Sequence, residues 1–383
     1  MNYLKKFLLI SFYGIFIYFL SKDKIVFDLN NYLNKLYGEK ELLKMLKEKV
    51  KEKNNSNIKR RNKIVKEINN FCVIIEKIKK MKKLKIKKME KIIRFDGKLI
   101  LSCSYALNNE YIYPTLVAMT SLVINAGNNT FYNIYVLVPP DFTEENKNKL
   151  KSVEKNYTNH CKIIIINMGN KFKGVDTNNK IPISAYYRLE LHNILPNVDR
   201  IVYMDGDTAV FQDLSELITL DMEENYILGF LDSIPNALRK FKIKNAVVLC
   251  SGVLLMDLNA LRINNISEKY NEFLEENLGK IYQHDQTIIN VVCQGKISTL
   301  PPKYGIWNFK KAKHFLYHNN DHLPWLRYNQ KECLISYYYP AILHYVIEKP
   351  YLKDNNKFYF DKWWEYAKKT GYYDEIYKYS NFY

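Results

Sequence analysis

The stretch Arg200–Leu214 reads RIVYMDGDTAVFQDL. Its first part, Arg200 to Met204, is apolar and rich in strand-favouring side chains, and it runs directly into Asp205-Gly206-Asp207. A short apolar run closed by turn residues reads as a strand buried on both faces. Gly206 allows the backbone to approach closely and leaves Asp205 and Asp207 on the same side of a short turn. Two carboxylates that close repel each other unless a positive charge neutralises them. A divalent cation that also binds a diphosphate is the natural partner, and hard oxygen ligands suit Mg²⁺ or Mn²⁺. Asp-Gly-Asp alone is common in turns. Its position gives it weight, because ligands of open α/β sheets gather at the carboxyl ends of strands.

Outward from this point the chain alternates. Toward the N-terminus come strand-like Leu99–Ser102, a helix over Pro114–Asn125, a strand over Ile134–Val138, a helix over Thr143–Glu154 and a strand over Ile163–Ile166. Strand–helix alternation predicts an α/β fold with a mainly parallel central sheet, and we place this domain at 98–383. With 47% hydrophobic and 14% aromatic residues in 383, the chain is rich enough to build a sizeable core and is not wholesale disordered.

The segment ahead of this domain differs in composition. Residues 1–97 hold 26 Lys/Arg against 10 Asp/Glu, whereas 98–383 hold 32 against 30, so the net charge of +18 belongs almost entirely to the N-terminal part. A nearly neutral region over 98–383 argues against an extended nucleic-acid groove, and we expect no nucleic-acid partner. Phe7 to Leu20 (FLLISFYGIFIYFL) is uninterrupted apolar sequence behind Lys5 and Lys6, with no small-residue cleavage site after it. This reads as an uncleaved membrane anchor over 1–24 with its N-terminus in the cytoplasm, although the run is short for a span. Residues 25–97 read as a basic helical stem: Ile64, Ile68, Phe71, Ile75 and Ile78 recur at spacings of four and three, in a dimeric coiled coil or a monomeric stalk. Six cysteines without CxxC spacing indicate neither a structural zinc site nor a disulfide scaffold.

Several blocks, taken in order, carry a family resemblance: ISAYYRLEL (183–191), IVYMDGDTAVFQDLSEL (201–217), CSGVLLMDL (250–258), HDQTIIN (284–290), LPPKYGIWNF (300–309), LHYVIEKPY (343–351) and WWEYAKKTGYYDEI (363–376). Together they resemble glycosyltransferase family 8, the retaining family of glycogenin-like and lipopolysaccharide glucosyl- and galactosyltransferases, over roughly Leu99 to Tyr373. The resemblance implies a GT-A type nucleotide-sugar-binding fold, a UDP-sugar donor and usually Mn²⁺. It also implies hexosyl transfer with retained anomeric configuration to a glycan, glycolipid or glycoprotein.

Carried over position by position, it implies Asp205, Asp207 and His344 as metal ligands and Lys349 as the cation that neutralises the departing diphosphate. Arg188 and Gly206 fall near the donor phosphates, and Asn108 and Tyr111 at the uridine contacts. Asp285, Gln286 and Asp232 correspond to the contacts of the donor sugar beside its anomeric carbon.

Three departures stand out. Asn108-Asn109-Glu110-Tyr111 replaces the Asp-Asp-Asn that many members carry before tyrosine. Cys250-Ser251-Gly252 has cysteine where asparagine is common. His344 to Pro350 is one residue short and lacks the usual glycine, with Tyr351 in place of tryptophan. These departures define the competing reading, a non-catalytic sugar-nucleotide-binding or scaffold descendant of the same fold. The anchor, read with the family, predicts a single-pass type II membrane protein of the Golgi or another secretory compartment in a eukaryote. In a bacterium it predicts inner-membrane association.

Overall fold

The computed structural model describes residues 97–381, apart from 176–180, 233–240, 242–246, 306–327, 353–358 and positions 278, 280, 282, 329 and 347. Strand β1 (Leu99–Ala106) lies at the centre of the first half of the sheet. It pairs in parallel with β2 (Thr130–Val138) on one side and with β4 (Arg200–Met204) on the other, and β3 (Cys161–Asn167) extends the parallel set beyond β2. The second half adds β6 (Ile227–Leu231), β7 (Leu249–Asp257) and β8 (Ile297–Thr299). The seven-stranded order is β3-β2-β1-β4-β7-β6-β8. Only β7 opposes its neighbours, pairing antiparallel with both β4 and β6, so the sheet is mostly parallel, as expected. A small second sheet joins β5 (Thr208–Val210) to β9 (Ile342–His344) antiparallel.

Helices cover both faces, as a largely parallel sheet requires. Along β4, Ile201 and Tyr203 enter one apolar cluster while Val202 and Met204 enter the other, the period-two signature of a strand with two buried faces. Helices α1 (Ile112–Ile124) and α2 (Glu144–Asn156) cover one face, with Leu116 and Leu150 packed in that cluster. Helices α3 (Ile266–Glu276) and α4 (His284–Val292) cover the other through Leu274 and Ile288. Three more helices follow, α5 (Gln330–Tyr338), α6 (Phe360–Lys369) and α7 (Tyr373–Ser380), and Trp363 of α6 is fully buried.

The expected helices and strands are present with shifted ends. Helix α2 starts at Glu144 because Thr143 is its cap, its side chain accepting from Asn146 N at 3.2 Å. Helix α1 begins at Ile112 rather than Pro114, since the turn Asn109–Tyr111 leads straight into it.

The single-pass type II placement does not stand. Among the described residues no helix is long and apolar enough to cross a membrane. The apolar run Phe7–Leu20 is itself shorter than the roughly 20 residues a span needs. The secretory and inner-membrane placements drawn from it are withdrawn with it. The anchor at 1–24 and the stem up to residue 96 lie outside the described residues.

Candidate active site

Strand β4 ends at Met204, and the next three residues turn into β5. Gly206 is required here by packing: a Cβ on it would sit 2.3 Å from Thr115 Oγ1 of α1. Its close approach is thus to a helix within the fold. Antiparallel pairing sets Thr208 opposite His344, and Tyr345 N donates to Asp207 O at 2.9 Å, which brings β9 alongside the acidic turn. His344 Nε2 lies 3.6 Å from Asp205 Oδ2 and 3.1 Å from Asp207 Oδ1. Asp205, Asp207 and His344 offer three ligand atoms within 4.8 Å of one another.

Charges around this trio balance closely. The Lys349 ammonium contacts Asp207 Oδ2 directly. Burial alone would raise the Asp207 carboxyl, but Lys349 and His344 hold it well below the ordinary carboxylate range. Burial alone would lower His344, yet the Asp207 carboxylate drives it up to about 10. Asp207 Oδ1 is buried with no hydrogen-bond donor aligned on it, although its other oxygen is engaged. An orphaned carboxylate oxygen facing an imidazole nitrogen and a second carboxylate fits a hard divalent cation, because the donor set is oxygen-rich with one borderline nitrogen.

Arg188 comes from the 3₁₀ helix Ile183–Glu190 and is 3% exposed. Its guanidinium stacks over the Tyr203 ring at 4.2 Å and donates to Asp205 Oδ1 at 2.8 Å and to the Ser251 carbonyl. Its Nε lies 3.1 Å from Asp285 Oδ2. Arg188 thus bridges the carboxylates of two elements. Asp285 and Gln286 open helix α4. Burial pushes the Asp285 carboxyl up to about 6 against the pull of Arg188, with Asp205 adding to the rise. Gln286 is held at both ends of its amide: Nε2 donates to Asp232 Oδ2 at 2.6 Å and Oε1 accepts from Ser251 N at 3.0 Å.

The loose backbone groups of β7 come from a bulge. Between β6 and β7 the register jumps from Gly229↔Leu254 to Phe230↔Cys250, leaving Ser251, Gly252 and Val253 without partners on β6. The freed groups of Ser251 serve the site, its N and O meeting Gln286 and Arg188, while Gly252 O faces β4 and accepts from Asp205 N at 2.8 Å, carrying that ladder to the acidic turn.

Asn108 and Tyr111 sit just beyond the carboxyl end of β1, which is the sheet neighbour of β4. Asn108 caps the turn by accepting from Tyr111 N at 3.2 Å. Asn109 ties that turn to α2, accepting from Thr143 N at 3.0 Å. Two residues were missed by sequence reasoning. Tyr203 donates to Asp205 Oδ1 at 2.9 Å, and the Cys250 thiol lies 3.7 Å from His344 Nδ1. Tyr203 carried a signal, being an aromatic with a polar tip in an otherwise aliphatic strand; Cys250 carried only its departure from the expected asparagine.

Residues 102–354 match the family model for glycosyl transferase family 8. Among curated relatives, a putative glycosyltransferase of Haemophilus influenzae is 24% identical over 207 residues, 51% of this chain and 61% of that protein. Lipopolysaccharide 1,2-glucosyltransferase of Escherichia coli is 23% identical over 225 residues, 55% of this chain and 64% of that one. General stress protein A of Bacillus subtilis is 23% identical over 281 residues, 71% of this chain and 93% of that protein. The chain therefore spans a little under two thirds of the first two relatives. Among solved structures, the galactosyltransferase LgtC in complex with donor and acceptor sugar analogs superposes with a TM-score of 0.59 at 21% identity, covering 70% of this chain and 96% of that one. At that identity the likeness establishes a common GT-A fold. With the family match covering 102–354, the chain belongs to glycosyl transferase family 8, a family of glycosyltransferases.

Proposed function

We propose that the chain moves a hexosyl group, glucose or galactose, from a UDP-sugar to a hydroxyl of a glycan, glycolipid or glycoprotein. In this reading the configuration is retained and Mn²⁺ or Mg²⁺ is required. The observation that carries it is the convergence of Asp205, Asp207 and His344 beside Lys349 and next to the Asp285–Gln286 end of α4. Two relatives whose names specify the sugar, the Escherichia coli lipopolysaccharide 1,2-glucosyltransferase and the Salmonella typhimurium lipopolysaccharide 1,3-galactosyltransferase, support a hexose and a glycan acceptor.

Asp205, Asp207 and His344 would hold the cation, which when bound screens the diphosphate and makes it a better leaving group. Lys349 is next to Asp207, and its ammonium neutralises charge on the departing diphosphate. Arg188 keeps Asp205 and Asp285 from drifting apart by holding both. The Gln286 amide, braced by Asp232 and Ser251, presents a fixed dipole to the sugar, and Asp285 accepts from sugar hydroxyls. Among the described residues, no side chain at the site resembles a strongly activated nucleophile. Attack by the acceptor on the face the diphosphate leaves is therefore the step this arrangement favours, its proton passing to the leaving diphosphate. Asn108 and Tyr111, at the end of β1, border the nucleoside.

Turnover of UDP-glucose and UDP-galactose with Mn²⁺, followed by proton NMR, tests this reading. An α-configured first product from the α-configured donor is expected. A β-configured product would overturn retention, and failure to turn over any UDP-hexose would overturn the donor class.

A further inference from the structure

We infer that Cys250 and Gly252 of β7 form a seat for the His344 ring, with the Cys250 thiol as a positioning residue that keeps Nε2 turned toward Asp205 and Asp207. This rests on the reading of His344 as a cation ligand.

The two ring nitrogens face different partners. Nδ1 lies 3.7 Å from Cys250 Sγ, and among the described residues that thiol is its one hydrogen-bonding partner. Nε2 lies 3.1 Å from Asp207 Oδ1, the buried oxygen on which no donor is aligned. A ring that offers the Nε2 lone pair to a cation carries its hydrogen on Nδ1, and here that hydrogen points at sulfur, a weak acceptor. Turning the ring over would exchange Nδ1 with a carbon and Nε2 with Cε1. Both the thiol contact and the ligand atom would then be lost together. The thiol therefore distinguishes the productive orientation from its mirror, the task that a carboxylate or carbonyl performs beside most metal-binding histidines.

Packing supplies the rest of the seat. A Cβ built on Gly252 would lie 1.9 Å from His344 Cε1 and 2.4 Å from Nδ1, so the ring packs directly on bare backbone. The bulge at Ser251–Val253 sets that backbone out of register with β6 while Cys250 stays paired with Phe230. Cys250 is 8% exposed and His344 5%, so solvent offers little competition for Nδ1. Thiol and glycine make separate contacts with the same ring, and neither observation depends on the other.

The test is direct Mn²⁺ binding by the full chain without nucleotide, read from the electron paramagnetic resonance signal of free Mn²⁺. Cys250→Ala should weaken binding roughly 10- to 100-fold, the usual cost of losing such a partner. Cys250→Val keeps the bulk without an acceptor and should weaken it by a similar factor, which separates the polar contact from repacking. Cys250→Ser should recover most of the affinity. Thermal melting should stay near the wild-type value in all three, since a purely structural thiol would move melting and leave Mn²⁺ affinity alone. Asp207→Asn serves as the reference. If it loses Mn²⁺ while the Ala and Val variants bind as the wild type does, the seat is wrong and the ligand trio stands. If Asp207→Asn itself binds normally, the ligand trio fails and the seat with it.

Discussion

Asp207→Asn isolates the charge on which the site depends. Asp207 is 6% exposed and serves as counter-ion to both Lys349 and His344. Stripping one partner from a buried ion pair costs about 3–5 kcal/mol. Two releases reduce this here. His344 can shed its proton once the carboxylate that holds it near 10 is gone, and the Lys349 side chain is 16% exposed and can turn toward water. We therefore expect a stability loss of about 2 kcal/mol, a fall in melting temperature of roughly 3–4 °C for a domain of this size. Cation binding has no such relief, because the amide replaces an anionic ligand at a site with few others. A loss of about 3 kcal/mol, or more than roughly 100-fold in Mn²⁺ affinity, follows. Calorimetric titration of the full chain with Mn²⁺, beside a melting curve, reads both numbers. Near-native Mn²⁺ affinity in a folded Asp207→Asn protein would refute the reasoning, because no other grouping of Asp, Glu, His or Cys among the described residues gathers ligand atoms in this way.

Other predictions concern the surrounding charges. Lys349 sits on a carboxylate oxygen that would otherwise be available to a cation, so Lys349→Met should tighten nucleotide-free Mn²⁺ binding about tenfold while slowing turnover roughly 100-fold. Weaker Mn²⁺ binding in that variant would show that the ammonium is not a competitor. Because His344 is held protonated up to about 10, a cation must displace its proton; Mn²⁺ affinity should therefore rise about tenfold per pH unit between pH 6 and 8, and a flat profile would contradict the imidazole as ligand. Away from the site, burial depresses His192 to about 4 beside Ser267, whose Oγ is 2.6 Å from Nε2. A depressed folded-state value makes its contribution complete above the unfolded value of 6.5 and lost as pH falls through 4. On the order of 3 kcal/mol is at stake, and chemical denaturation of His192→Gln should show a shallower loss of stability across that window.

Much of this was legible because local pattern and global position agreed. The apolar run before Asp205 could hardly be other than a buried strand, and alternation of strands with helices implied parallel pairing for β1 to β4. The reversed direction of β7 was not legible, since a run buried on both faces has no period to betray its direction. The acidic turn and His344 were readable from residue type and resemblance. Their spacing rests on β5–β9 pairing across 131 intervening positions, which no local signal encodes. Arg188 was expected at a phosphate; its commitment to Asp205, Asp285 and Ser251 depends on three separate elements meeting. The bulge at Ser251–Val253 was invisible for a related reason: β7 reads as one apolar strand, and only its partner β6 shows where pairing lapses.

The most direct test of the central claim is release of nucleotide by the full chain from a panel of UDP- and GDP-sugars, with and without Mn²⁺. Slow cleavage of a UDP-hexose that requires the metal and disappears in Asp207→Asn is expected. Failure to cleave any donor, together with nucleotide binding that ignores Mn²⁺, would contradict it and leave a fold that has kept the shape of family 8 without its chemistry.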